Sequence, residues 1–300
     1  MAEKKTKHTK QSKSTEQSKS TEQVTGKNKA NFYKMLCIIL MLALIVILGK
    51  LGIDKLQEYK SAKAYEDLQQ MVNYGSDSKS TEAPKATQVP ITVDDTESSE
   101  EKTVTLEVPK KNLDWSQLQG INKDIYAWIY IPGTKVDYPV LQSNSDDSYY
   151  LNHNIDGSKG YPGCIYTEMA NSKDFSDFNT VIYGHNMKNG TMFKGLHDFE
   201  NREFFDKNRY VYLYTKEKVF VYEIYITYVG DDAHILNTND FASETGRVRY
   251  LERTANLADS TGNYKPEIEV GKDSHIITLS TCTSDPTVRF LVQAVLLGSK

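Results

Sequence analysis

Fifteen consecutive residues, Met35 to Gly49 (MLCIILMLALIVILG), carry no charge. No other stretch restricts the chain's folding as much. A run this apolar must be covered by protein or by lipid. The residues before it offer nothing to pack against. Residues 1–31 are dominated by Lys, Ser, Thr, Glu and Gln, with QSKSTE at 11–16 repeated at 17–22 and SKSTE again at 78–82. Such polar repeats bury too little apolar surface to offset ordering entropy, so residues 1–31 are expected to be a disordered tail. A bilayer core takes about 20 helical residues. Phe32, Tyr33, Leu51 and Ile53 extend the run toward that length, and Lys34 and Lys50 can snorkel. A cleaved signal peptide would need an unusually long basic region, and the one A-x-A, Ala62-Lys63-Ala64, lies too far downstream. The segment 32–53 is therefore expected to be an uncleaved transmembrane anchor. Nine lysines against three glutamates in residues 1–34, in a chain of net charge −4, place the N-terminus in the cytoplasm and the remainder outside.

Residues 54–74 carry apolar positions at Leu56, Tyr59, Leu68 and Met71, continuing from Ile53, a roughly helical spacing that predicts a juxtamembrane helix. Residues 75–104, rich in Ser, Thr, Lys and Glu, read as a flexible spacer. A globular domain is expected over 105–300. Asp114 is placed to N-cap the short helix WSQLQ. AWIYIPGTKVDYPVLQ (127–142) reads as two strands around a Pro-Gly turn. CIYTE (164–168), NTVIYGHN (179–186), RYVYLYT (209–215), KVFVYEIYITYVG (218–230) and the segments 275–282 and 289–297 read as further strands, with loop and helix over 238–260. This predicts a mainly β fold, a closed or nearly closed barrel with a few short helices.

The outside location would permit disulfides, and beyond the anchor only Cys164 and Cys282 remain to form one. No Cys/His spacing fits zinc, and no metal or cofactor is expected. Cys164, in YPGCIYTE, reads as packing. Most free cysteines are small buried hydrophobes, and that reading of Cys282 stands beside a chemical one. IITL ends just before it and STCTSDP is polar and turn-like, which puts Cys282 at a strand mouth. Phe290, Val292, Ala294 and Leu296 share one face of the next strand, so Arg289 points to the other, and a basic neighbour favours thiolate. Nucleophilic cysteine chemistry also needs a proton-handling partner. His275 starts the same strand, about 20 Å away at about 3.3 Å per residue. His185 ends the strand TVIYG, and two strands ending in reactive groups at one sheet edge would form a Cys–His site.

TLSTC (Thr278–Cys282) matches the TLxTC signature of the sortases, cysteine transpeptidases of Gram-positive bacteria. With INKDIYAWIYIPGTKVDYPVLQ, DDSYYLNHN and NTVIYGHNMKNGTMF upstream, residues 112–297 resemble class B of that family. The resemblance implies an eight-stranded barrel, an N-terminal anchor and no cofactor. It implies His185 as acid/base, Cys282 as nucleophile and Arg289 as oxyanion stabiliser. Cys282-to-Arg289 spacing is short for the family, but no other arginine follows Cys282. Leu151, Ser280 and Thr281 match positions lining the signal groove. The implied partners are surface proteins with a C-terminal NPxTx-like sorting signal and an amine of peptidoglycan or its precursor.

Papain-like enzymes place Cys before His, the reverse of His185 and Cys282. No GxSxG, HExxH, P-loop or GxGxxG occurs. A non-catalytic membrane-tethered β-domain is the remaining alternative. The acidic globular part argues against nucleic acid.

Overall fold

The computed structural model describes residues 4–74, 87–93 and 102–300. The chain divides into two compact units, residues 1–56 and 57–300. Helix α1 (Lys4–Tyr74) runs through the first and into the second. From Asn31 it is long and apolar enough to cross a membrane, and large apolar side chains from Phe32 to Leu56 are exposed. The tail expected to be disordered is helical from Lys4. Its Lys, Gln and Glu are good helix formers, and extending an existing helix costs far less than nucleating one.

Strands and short helices then follow in order: β1 (Thr87–Val93), β2 (Lys102–Val108), α2 (Trp115–Ile121), β3 (Ile125–Tyr130), β4 (Asp137–Leu141), β5 (Ile165–Tyr166), β6 (Asn179–Tyr183), α3 (Arg202–Lys207), β7 (Tyr210–Tyr214), β8 (Val219–Asp231), α4 (Ile235–Thr238), α5 (Glu244–Thr261), β9 (Asn263–Tyr264), β10 (Ile276–Cys282) and β11 (Val288–Ser299). Asp114 caps α2, its carboxylate accepting from Gln117 N–H at 3.0 Å. Eight strands close into a barrel in the order β11-β10-β6-β5-β4-β3-β7-β8, the ring completed by β8 pairing with β11. The two-residue β9 adds to β8. This is the eight-stranded barrel expected.

Two boundaries differ from expectation. The spacer placed at 75–104 contains β1 and the start of β2, paired antiparallel from Thr87↔Val108 to Val93↔Lys102. The Val/Thr alternation of KTVTLEV favours strand, and its Ser/Thr-rich surroundings hid it. Residues 75–86 and 94–101 lie outside the described residues. The helix placed at 54–74 as a separate element instead packs on the barrel from its own turns. Tyr65, Leu68 and Val72 are buried while Tyr59 is exposed. Asn112 N–H donates to Val72 O (2.8 Å), and Tyr65 Oη to Gly163 O (2.8 Å). A buried ion pair closes this seam. Lys111 Nζ meets both oxygens of Asp137 (2.8 and 2.7 Å), which also accept from Trp128 Nε1 (2.6 Å) and Asn73 Nδ2 (2.9 Å).

Alternation along β11 separates two apolar layers. Phe290, Val292 and Ala294 face the barrel interior with Leu279 and Ile277 of β10. Leu291 and Val295 face outward, covered by Tyr250 and Ala258 of α5. Between them Gln293, fully buried, donates to Tyr250 Oη (2.6 Å) and Thr278 Oγ1 (3.1 Å) and accepts from Tyr225 Oη (2.7 Å). Thr278 Oγ1 in turn donates to Asn179 Oδ1 (2.8 Å). This satisfied network ties β6, β8, β10, β11 and α5 together beneath the strand ends where β6 leads into His185 and β10 ends at Cys282.

Candidate active site

β10 lies between β6, parallel, and β11, antiparallel. In the antiparallel register Cys282 is directly opposite Arg289, so their side chains stand on the same face with Cβ atoms about 5 Å apart. In the parallel register Ser280 pairs with Tyr183, and Gly184 N–H donates to Ser280 O (3.1 Å). His185 thus leaves β6 at the level where Cys282 ends β10. Gly184 is needed for this approach: a Cβ there would lie 2.5 Å from Ile165 Cδ1 and 2.7 Å from the Phe193 ring.

His185, Cys282 and Arg289 line one cavity of about 220 Å³, together with Leu151, Ser280 and Thr281. The structure therefore brings together all six residues singled out from sequence. His185 Nε2 lies 2.6 Å from Leu151 O. A carbonyl only accepts, so Nε2 carries the proton and Nδ1 the lone pair. Burial lowers the His185 pKa, partly offset by that carbonyl, which favours the neutral ring. Tyr161 packs edge-on against it, with centroids 5.0 Å apart.

Arg289 Nη1 donates to Pro286 O (2.7 Å) and Val288 O (3.1 Å). The turn beneath it is tied by Asp285, whose carboxylate accepts from Thr287 N–H (2.8 Å) and Oγ1 (2.6 Å); these bonds hold its pKa below the usual range. Thr281 follows the interior-facing alternation of Leu279, and its Oγ1 is buried with no hydrogen-bond partner among the described residues. Ser280 shares the outer face with Cys282. Both Cys282 and Cys164 are free thiols. Burial pushes the Cys164 thiol up to about 12, unsuited to nucleophilic work.

Several groups around the cavity were not anticipated. Glu168, from CIYTE, pairs with His234 Nε2 at 2.8 Å, and burial raises its pKa. His234 Nδ1 accepts from Asn237 N–H (3.3 Å), so Nε2 carries its proton too. Behind Cys282, its carbonyl accepts from Asn186 Nδ2 (2.9 Å), and His197 Nε2 lies 3.1 Å from the same oxygen. The pattern GHN signalled the histidine, but nothing in the spacing showed that Asn186 and His197 meet at Cys282.

Comparison with known proteins agrees with this fold. The family model described as Sortase domain matches residues 129–297. Sortase B of Listeria monocytogenes is 37% identical over 171 residues, 56% of this chain and 66% of the relative, so the chain spans about two thirds of that protein. Sortase B of Staphylococcus aureus is 27% identical over 61% of this chain and 74% of its own length. The crystal structure of Clostridium perfringens sortase B aligns at 32% identity and TM-score 0.55, over 60% of this chain and 98% of that one. A Bacillus anthracis sortase B structure aligns at 27% identity and TM-score 0.60, over 80% and 97%. With the barrel, the Cys282–Arg289 register and His185 at the same sheet edge, these matches place the chain in class B of the sortases, a family of cysteine transpeptidases.

Proposed function

We propose that this protein is a membrane-anchored transpeptidase that cuts an NPxTx-like sorting signal after Thr and transfers the acyl group to a peptidoglycan amine. The observation carrying the reading is the Cys282–Arg289 cross-strand pair with His185 on the neighbouring strand end, all on one cavity. His185 Nδ1, left with the lone pair by the Leu151 carbonyl, takes the Cys282 proton. The sulfur attacks the threonine carbonyl, and the tetrahedral oxyanion is met by Arg289 and a backbone N–H beside Cys282. The C–N bond breaks as His185 returns its proton to the leaving amine, leaving a thioester on Cys282. An incoming amine, deprotonated by His185, attacks the thioester and expels the thiolate. Leu151, Ser280 and Thr281 line the signal's path, Thr281 through its backbone given the inward course of its side chain. The relative from S. aureus has been solved as a sortase B–substrate complex, which supports a peptide-sized groove here. The basic N-terminal end holds the anchor with the catalytic unit outside, where surface proteins and wall amines are both reachable.

The test is the full-length chain in detergent micelles against quenched NPxTx and LPxTG peptides, with and without amine acceptors. Cleavage confined to NPxTx peptides, acyl transfer to an amine, and complete loss in Cys282→Ala are expected. Turnover that survives Cys282→Ala would refute the nucleophile. Protease added to intact protoplasts should reach residues 75–104; protection there would overturn the topology.

A further inference from the structure

Backbone bonds in a parallel ladder recur every second residue. Gly184 N–H donates to Ser280 O, so the next rung would run from residue 186 to the Cys282 carbonyl. β6 ends at Tyr183, and a side chain makes that rung: Asn186 Nδ2 donates to Cys282 O at 2.9 Å. His197 Nε2 lies 3.1 Å from the same oxygen and 3.0 Å from Asn186 Nδ2. Its ring is stacked on Phe290 with centroids 5.1 Å apart, and its Nδ1–H donates to Glu200 Oε1 at 2.6 Å. His197 is nearly enclosed, whereas the Glu200 side chain is exposed.

We propose that Asn186, seated by the His197–Glu200 pair, is a positioning residue that fixes the backbone of the nucleophile Cys282. The proposal rests on Cys282 being that nucleophile. A peptide unit is planar, so pinning the Cys282 oxygen fixes the whole Cys282–Thr283 plane and points the Thr283 N–H to the opposite side of the strand. Together with the β10–β11 ladder, which holds the chain up to Cys282, this restrains the Cα–Cβ direction and hence the arc open to the sulfur. Asn186 directly follows His185, so two adjacent residues set the base and hold the nucleophile. Their separation is then controlled by one peptide unit rather than by the long path through the barrel. Misplacing reacting atoms by about 1 Å can cost about 10²-fold. Neither Asn186 nor His197 lines the cavity shared by His185, Cys282 and Arg289.

The experiment compares full-length wild type, Cys282→Ala, Asn186→Ala, Asn186→Asp and Glu200→Ala in detergent micelles. The substrate is the NPQTN peptide, or whichever panel peptide the wild type cleaves fastest. Iodoacetamide alkylation of Cys282 and thermal unfolding are measured alongside. If Cys282→Ala retains turnover, the nucleophile reading has failed and the clamp falls with it. If it does not, the clamp stands or falls on the other variants. Asn186→Asp keeps the size and removes both N–H donors. It and Asn186→Ala are expected to lower kcat ten- to a hundredfold with KM within twofold. Alkylation, which needs the thiol but no placed acyl carbonyl, should change less than threefold. Glu200→Ala, on an exposed side chain that leaves the core intact, should lower kcat three- to tenfold through a loosened His197. A kcat within threefold of wild type in the Asn186 variants overturns the proposal. So does a loss matched by an equal change in KM, or by faster alkylation together with a lower unfolding temperature, which would mark a merely structural role. Should Asn186→Ala fail to fold, the isosteric Asn186→Asp and surface Glu200→Ala decide it.

Discussion

Replacing Arg289 by lysine separates a placed donor from a mere positive charge. Arg289 stands opposite Cys282, and its Nη1 is committed to the carbonyls of Pro286 and Val288. Those two bonds use both Nη1 hydrogens. The Nε–H and the two Nη2 hydrogens remain for an oxyanion in the cavity that Arg289 lines. A lysine carries three hydrogens on one atom at the end of a flexible stem. It cannot bond the turn carbonyls and at the same time present a fixed fork to the oxyanion. The loss expected is one oxyanion donor, about 10²–10³-fold in kcat, or roughly 2.7–4 kcal/mol. It should fall on kcat rather than KM, because the oxyanion exists only along the reaction path. Alkylation of Cys282 by iodoacetamide forms no oxyanion and should slow far less. The assay is steady-state cleavage of a quenched NPxTx peptide, paired with the alkylation rate and the unfolding temperature. If Arg289→Lys keeps more than about a third of the wild-type kcat, charge alone suffices. Cys282 and His185 then make up the supported site.

Three further outcomes follow from other parts of the structure. Asp137→Ala strands the buried Lys111 ammonium and should cost about 3–5 kcal/mol in urea unfolding at pH 7. Burial already lowers the Lys111 pKa despite Asp137, so the stranded lysine sheds its proton as pH rises and the cost should shrink by pH 9.5; a cost independent of pH would count against this. Because burial lowers the His185 pKa, the folded state binds fewer protons than the unfolded below about pH 6.5, so this group destabilises the fold as pH falls through that value and no longer once pH is above it. His185→Gln should therefore lose less unfolding temperature than wild type between pH 7.5 and 5.5, and equal losses would refute the assignment. EDTA should leave peptide cleavage nearly unchanged, whereas reproducible calcium stimulation above twofold would point to a role for Asp231 and Asp232.

The sequence could be read wherever the structural rule is local. IITLSTC and VRFLVQAVLL alternate cleanly, so the interior face of Phe290, Val292 and Ala294 and the outer face of Arg289 followed from period two. The apolar run and the Asp114 cap are equally local. Reading failed where the deciding partner is distant in the chain. The face of the helix at 57–74 that packs on the barrel is Tyr65, Leu68 and Val72 with Met71 beside them; the spacing picked out Leu68 and Met71 but not Tyr65 and Val72, since only the barrel defines the whole face. Strand β1 has Pro90 in its middle and sits in Ser/Thr-rich surroundings, so composition outweighed pairing.

The same limit explains the site. GHN was legible as a histidine at a strand exit, because Gly and Asn mark turns. Yet the turn is not what those two neighbours are for. Gly184 is small because Ile165 and Phe193 close over it, and Asn186 supplies the rung that its own backbone leaves the sheet too early to make. A parallel strand that departs at His185 otherwise leaves the Cys282 carbonyl without this bond and Cys282 freer to drift. An aspartate in place of Asn186 would mark a turn equally well and has no N–H to give. The requirement for an amide at this position therefore comes from β10, some ninety-six residues further along the chain, and becomes visible only when the two strand ends are seen side by side.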